Sequence, residues 1–486
     1  MFNALLLSAA LSVGQTGTAP PPASDQDLVV VEETTSAPAP AADQILVPVA
    51  AFAAAPSPAP ATQLPEPVQI SAPLLPPPAP PAAAPAAAAA PSAPPPRWLL
   101  MKELQGTWPG GLLDSERMQV TGWIQGSFTG STTDDNNLPE AWNYRANQAL
   151  MQQAWVRVAR SVVTSGTTEP TYGFQSDWIF GTDYKFTLAR GVFNRQLVDN
   201  NGFPDTYGVD PVQFYGEAYY PTIARGLDVK VGRFYAPWGV ESIEAVSTPF
   251  LSHSYTFDNA PPFTFTGVLG TLTLTPVWTV QAGVVAGEDI ILFNTSDTPT
   301  FVGTVQWTQP SGGRNVVKLA TVLNSDDYDV GGAFNNYDVV DVVWTHTFNP
   351  VLVSNVEAIY GWEKNIPDQP APDGSTIHIG KADWAGLAQY LQYTLSARLT
   401  AQARAELFYD PQGVRTSALN IPDAPTFVTD TKGLYEALTL GLAFTPRVNK
   451  SIIIRPEVRY DYNDESKAFD GHHSLLTAST DLIVRW

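Results

Sequence analysis

The sequence predicts an all-β protein: an antiparallel transmembrane β-barrel of about sixteen strands behind a Pro/Ala-rich leader. Three observations predict it. Apolar and polar residues alternate with period two over segment after segment, the spacers between segments are alternately short and long, and no run is apolar and long enough for a membrane helix. Alternation gives a sheet one oily and one wet face, and short turns at one rim with long loops at the other are the outer-membrane barrel pattern.

Met1 to about Gly14 carries a short apolar core, Leu5-Leu6-Leu7-Ser8-Ala9-Ala10-Leu11, followed by small residues. This is the layout of a signal peptide, assigned to 1–19, and it is too short to span a bilayer as a helix. Residues 20–97 form a Pro/Ala-rich segment with scattered acids and no cation before Arg97, holding about half of the chain's 44 prolines. Such a composition buries no core, so the segment is expected to be a disordered periplasmic linker, with contact to the cell wall as its sharper role. Residues 98–116 contain Trp98-Leu99-Leu100-Met101-Lys102-Glu103-Leu104-Gln105 and then Gly106, the pattern of a short amphipathic helix ending at Gly106, at the periplasmic mouth of the barrel.

The barrel is expected over 117–486. Alternation is clear in Leu150 to Val158, Tyr172 to Phe180, Val212 to Tyr220, Val268 to Leu274, Val280 to Ala286, Val340 to Phe348, Leu438 to Phe444, Ile452 to Tyr460 and Leu476 to Trp486. Short spacers near Thr164, Pro221, Pro276, Ser311, Pro350, Ala397 and Val448 alternate with long ones near Asp135, Asn200, Ser252, Asn294, Asp327, Asp368, Pro422 and Glu465. An even strand count puts both termini on the short-turn, periplasmic side. Closure is required because hydrocarbon leaves no partner for an unpaired backbone group, and a barrel of this size is wide enough for water.

The stretch from Gly226 to Pro276 is the most informative. Leu227, Val229 and Val231 alternate with Asp228, Lys230 and Gly232; alternation stops after Arg233-Phe234-Tyr235-Ala236-Pro237-Trp238-Gly239 and resumes at Gly267-Val268-Leu269-Gly270. Between them lies the third long loop, Trp238 to Phe263, rich in aromatic, acidic and prolyl residues. Folded inward, it narrows the lumen and brings Glu241, Glu244, His253 and Asp258 to the constriction, where carboxylates favour cations. Folded outward, it is a solvated cap.

Charged residues at alternate positions share a face, and that face is the lumen, since an Arg against mid-bilayer lipid costs about 2 to 4 kcal/mol. Arg404 with Glu406, and Arg455 with Glu457 and Arg459, fall in this way; Arg157, Glu217 and Glu357 follow the same logic. They set either a transverse field across the pore or an ion-pair brace of the wall. Trp178, Phe180, Tyr219, Tyr220, Phe234, Trp238, Trp307, Trp344, Tyr360, Trp384, Tyr390, Phe444 and Trp486 read as interface girdles, with a sugar track through Tyr215, Tyr219 and Trp155 as the alternative.

The order of Val120-Thr121-Gly122-Trp123-Ile124, Gly173-Phe174-Gln175-Ser176-Asp177, Gly232-Arg233-Phe234, Pro237-Trp238-Gly239-Val240-Glu241, Ser252-His253-Ser254-Tyr255, Pro262-Phe263-Thr264, Arg404-Ala405-Glu406 and Arg455-Pro456-Glu457-Val458-Arg459-Tyr460-Asp461 resembles the OmpL-like β-barrel porins, from about Leu100 to Trp486. The resemblance implies an outer-membrane barrel and a porin, without a substrate. Barrels of this kind commonly end in Phe, whereas this chain ends in Trp486.

With 486 residues, a formal charge of −21 and no cysteine, disulfides and thiolate metal sites are excluded and nucleic acid is a poor partner. Of the five histidines, His253, His346, His378, His472 and His473, none has a third metal ligand at convincing spacing. The expected function is passive diffusion of small hydrophilic solutes or ions through the outer membrane, in contact with its lipid, with a homotrimer as the possible assembly and no cofactor or metal. The alternatives are an envelope-anchoring barrel of little conductance and a barrel hydrolase.

Overall fold

In the computed structural model of the chain, the residues described are 97–188, 192–197, 199–200, 204–291, 299–310, 313–323, 337–366, 369–370, 376–378, 380–417, 431–447 and 451–486. The expected signal peptide (1–19) and all of the expected linker (20–97) except Arg97 lie outside them.

Sixteen strands close on themselves: β1 (Met118–Ser131), β2 (Gln148–Arg160), β3 (Thr171–Gly181), β4 (Gly208–Tyr220), β5 (Leu227–Tyr235), β6 (Thr264–Thr273), β7 (Trp278–Glu288), β8 (Thr300–Thr308), β9 (Asn315–Leu323), β10 (Asp338–Asn349), β11 (Leu352–Ile366), β12 (Gly380–Ser396), β13 (Leu399–Asp410), β14 (Gly433–Phe444), β15 (Ile452–Asn463) and β16 (Ser474–Arg485). Each pairs antiparallel with its sequence neighbours, and β1 closes against β16 in the register Trp123↔Arg485 to Ser131↔Thr477. A two-residue ladder, Gln369–Pro370 with Thr376–Ile377, lies in the loop after β11.

The period-two pattern is realised directly. Along β14 buried and exposed residues alternate, with Leu438, Leu440 and Leu442 on the outer face and Tyr435, Ala437 and Thr439 inside; β15 and β16 repeat it. The short connections shrink to two residues at Pro350-Val351 and Ala397-Arg398, whereas the third long loop, L3, occupies 236–263.

The seam needs a glycine. Trp486 extends the β1 ladder one step past β16, donating its N–H to Gly122 O (2.9 Å) and accepting from Gly122 N (3.1 Å). A side chain at Gly122 would meet Trp155 O at 2.0 Å and the Trp486 ring at 2.5 Å. At Gly232, φ is +138° and a Cβ would meet Phe214 O at 2.2 Å, so the Gly-Arg-Phe stretch bends where only glycine fits.

The N-terminal amphipathic segment differs from the expectation of one helix. It forms α1 (Leu99–Glu103) and α2 (Trp108–Ser115), separated at Gly106, whose φ of +80° ends the first; the Thr107 hydroxyl caps the second by accepting from Gly110 N. Met101 is buried with its Sδ accepting from Val120 N (3.4 Å), Arg97 pairs with Asp114 (2.6 Å), and the Trp98 ring lies under the Arg485 guanidinium at 3.8 Å. The helices therefore pack on the β1–β16 seam, at the end bearing the short turns.

Gly122→Val should block seam closure, because the clash is with backbone and with a ring already in the ladder; overpacking elsewhere costs about 1 to 3 kcal/mol. The expected result is loss of the compact, heat-sensitive band on unheated gel electrophoresis after refolding, with Ala at the exposed Gly111 as the tolerated comparison.

Candidate functional site in the barrel lumen

Strand alternation points Tyr390 of β12, Arg404 and Glu406 of β13, Thr439 of β14, and Arg455, Glu457, Arg459 and Asp461 of β15 into the lumen. Glu357 of β11, Asp341 of β10, and Gln153 and Arg157 of β2 continue the same inner face. L3 lies against this wall, and its residues 251–262 are buried throughout.

The loop has no neighbouring strand over most of its length, and the wall side chains serve as its hydrogen-bond partners. Gly239 N donates to Asp341 (3.2 Å) and Val240 N to Glu357 (3.1 Å). Gln153 donates to Ile243 O (2.7 Å) and accepts from Ala245 N (3.1 Å). Arg455 donates to Thr248 O (2.6 Å), and Glu457 accepts from both Leu251 N (2.8 Å) and Ser252 N (3.0 Å). Arg404 donates to Ser252 O (2.7 Å) and His253 O (3.2 Å), Arg459 also reaches His253 O (2.5 Å), and Glu406 accepts from Tyr255 N (2.7 Å).

A short helix, α4 (Tyr255–Asn259), follows. Ser254 Oγ caps it by accepting from Phe257 N, and the Tyr255 hydroxyl donates to Asp461 (2.9 Å) while its ring lies under Arg459 (4.8 Å). Beyond it, Ala260 O accepts from Tyr337 and Trp384, and Asn259 O from Arg415. In the second long loop, helix α3 (Tyr184–Thr187) ends at Thr187, whose carbonyl accepts from Arg233; that buried guanidinium also pairs with Asp210 (2.9 Å) and binds Thr264.

Glu241 is the focal carboxylate. It lies 2.9 Å from Arg404, 2.6 Å from His253 Nδ1 and 2.9 Å from the Tyr390 hydroxyl, and accepts from Ser254 N. Burial pushes this acid up, but Arg404 and His253 outweigh that and hold it at about 2. Burial pushes His253 down despite Glu241, so at neutral pH the ring is uncharged and the tautomer with its proton on Nδ1 suits the short contact. The ring is stacked on Phe257 (4.5 Å) and packed on Trp142 (4.6 Å). Asp258 is raised well above the usual carboxylate range by burial and then by Glu241, and Glu140 of the first long loop is raised by burial against the pull of Arg459.

Of the residues singled out in the sequence, Glu241, His253, Arg404, Glu406, Glu457 and Arg459 converge, and Asp258 is buried nearby. Glu244 pairs with Arg157 (2.5 Å), which also holds Asp177 (2.6 Å); Arg455 pairs with Asp481; Glu357 caps the start of the loop. Glu217 lies apart on β4, 3.7 Å from Lys230, whose ammonium sits over the Tyr215 ring (4.6 Å). L3 touches Arg404 and Arg459 directly, and neither Glu241 nor Glu244 is a free anion.

Asp341, Gln153, Asp461 and Asp481 were not singled out, although each lies on the inner parity of its strand and alternation alone would have found it. Glu140 carries no such signal, being in a loop. Trp178, Phe180, Trp344, Tyr360 and Phe444 are exposed, as a girdle requires, whereas the assignment is corrected for Phe234, Trp384 and Tyr390, which are buried beneath L3, and for Trp238, which is a buried residue of L3 itself. Trp155 is likewise buried, stacked on Trp123 (4.7 Å), so it is closed to a sugar ring. Among the described residues, no group of His, Asp and Glu has metal-binding geometry.

A closed sixteen-strand antiparallel barrel with an oily outside, a charged inside and a loop docked in the lumen defines an outer-membrane barrel of the porin class. Residues 117–486 match the family described as "Putative beta-barrel porin-2, OmpL-like", and the chain belongs to it. Among solved structures it is similar in fold to Pseudomonas putida OprB (12% identity, TM-score 0.50, covering 78% of this chain and 96% of that one). Salmonella typhi OmpF (13%, 0.48, 76% and 97%) and an anion-selective porin from Comamonas acidovorans (9%, 0.47, 76% and 99%) also match. No curated protein sequence matches the chain.

The titrations give opposite signs. Glu241 sits below its ordinary 4.5, so its contribution is complete above that pH and is lost as pH falls toward about 2. Asp258 sits above its ordinary value of 3.8, so its contribution is complete below that value and fades as pH rises through the folded-state value. Glu241→Gln should therefore lower heat resistance at pH 7 by about 3 kcal/mol, the scale of a broken buried pair, with the deficit narrowing at pH 3. Asp258→Asn should gain on wild type from pH 4 to pH 8. The temperature at which the compact gel band is lost measures both.

Proposed function

We propose that the protein is a passive diffusion channel for small hydrophilic solutes in the outer membrane, with both termini periplasmic and L3 setting its narrowest section. The observation that carries this reading is the one-sided docking of L3. Its buried bonds run to β10–β15 and β2, whereas across the barrel Glu217 and Lys230 keep 15% and 29% of their side chains exposed. Tyr215, Gln175, Thr271 and Gln281 are also partly exposed on that opposite face. The path we infer runs between L3 and the β3–β7 wall, past polar groups that can exchange hydrogen bonds with a moving solute. The orientation is supported by the short turns lying at the same end as α1, α2 and Trp486.

In this reading the wall arginines brace the loop, and charge selection falls to the partly exposed set of Arg157, Glu217, Asp228 and Lys230. The test is single-channel conductance of the refolded full chain in a planar bilayer under a salt gradient. Wild type should give stable ohmic steps. Glu241→Gln/Glu244→Gln, which removes two charges that hold L3, should give larger and noisier steps if L3 is the constriction. Steps identical to wild type would reject that loop assignment, and silence from folded wild type would reject the channel in favour of an envelope anchor.

A further inference from the structure

Beneath L3, on the side of the short turns, a cavity of about 460 Å³ lies between loop residues 245–249 and the wall from β11 to β16. Its lining contains three arginines, Arg398, Arg455 and Arg485, and no carboxylate. That is unexpected in a chain with 47 acids against 26 Lys and Arg.

The three differ in state. Arg455 is satisfied, holding Asp481 at 3.0 and 2.5 Å and Thr248 O at 2.6 Å. Arg398, in the two-residue β12–β13 turn, and Arg485, next to the C-terminus, form no ion pair among the described residues, and Glu244 acts on Arg485 only from a distance. Arg485 is nonetheless held in place: its guanidinium stacks on Trp98 at 3.8 Å. Stacking occupies the face of the cation and leaves its in-plane N–H fork free, which is the part that recognises an oxyanion. Gln392, Gln402 and Thr400 also line the cavity, adding amide and hydroxyl donors.

Two guanidiniums without an ion pair, Arg398 exposed at the edge of the cavity and Arg485 half-buried, raise the local concentration of anions. At about 30 Å³ per water, the volume holds an anion of a few heavy atoms with much of its hydration shell. We propose that this chamber is an anion-binding site in which Arg485 and Arg398 hold a small carboxylate or phosphate below L3. As a stage in permeation it rests on the channel reading; as a binding site it does not.

The test is calorimetric titration of the refolded full chain in detergent at low salt with inorganic phosphate and, separately, with acetate. Wild type should bind at least one of them saturably, and the tighter of the two identifies the anion class. Arg485→Gln and Arg398→Gln should each weaken binding at least tenfold, while Arg314→Gln, an exposed arginine in another short turn, should leave it unchanged. Arg398 sits in a turn and has no partner to lose, so its variant carries the test if Arg485→Gln fails to refold. No saturable binding by folded wild type, or equal loss in Arg314→Gln, overturns the site. Phosphate or acetate binding by a protein that conducts nothing in the bilayer supports the site and removes the channel reading; conduction without binding does the reverse.

Discussion

An irregular segment inside a barrel must find a partner for each buried N–H and C=O without a neighbouring strand to supply one. In this protein the lumen-facing charges do that work. Glu457, Glu406, Glu357 and Asp341 accept from backbone amides of L3, and Arg404, Arg455 and Arg459 donate to its carbonyls. The charged inner wall is thus a template on which the loop is laid, in place of a ladder. The arginines are held in turn by Glu241, Asp461 and Asp481, so each cation that grips the loop is itself ion-paired.

Each strand of the template can carry only alternate residues to the inside, and this is why the barrel was legible in the sequence. A strand slipped by one residue would turn Arg404 and Arg459 into hydrocarbon, so pattern and register are locked together. The same rule puts Glu406, Glu457 and Glu357 on one face of their strands, the face that carries the contacts to L3. It could not say what those side chains touch. Contacts such as Glu457 with Leu251 join residues far apart in the chain, and loop residues such as Glu140 have no periodicity to read.

Aromatic residues were the less legible class. A ring at a strand end satisfies either a headgroup layer or a packed interior, and parity separates the two only once the ladder is known. Trp384 and Tyr390 fall on the inner parity of β12, and Trp344 and Tyr360 on the outer parity of β10 and β11. The Trp98–Arg485 stack was beyond sequence reasoning altogether, since it brings residues more than 380 positions apart together across a closure that only the barrel defines.

The docking of L3 also orders events during assembly. The loop is complete by residue 263, yet Arg404 and Glu457, which hold it, arrive 163 and 205 to 206 positions later than the groups they bind. Until β13 and β15 are in place, the amides and carbonyls of residues 248, 251–253 and 255 lack the wall partners they have in the folded barrel, and chains rich in contacts of such long sequence separation fold slowly. The interior of this barrel is therefore complete only once its C-terminal strands are present, because they carry the side chains that hold the middle of the loop.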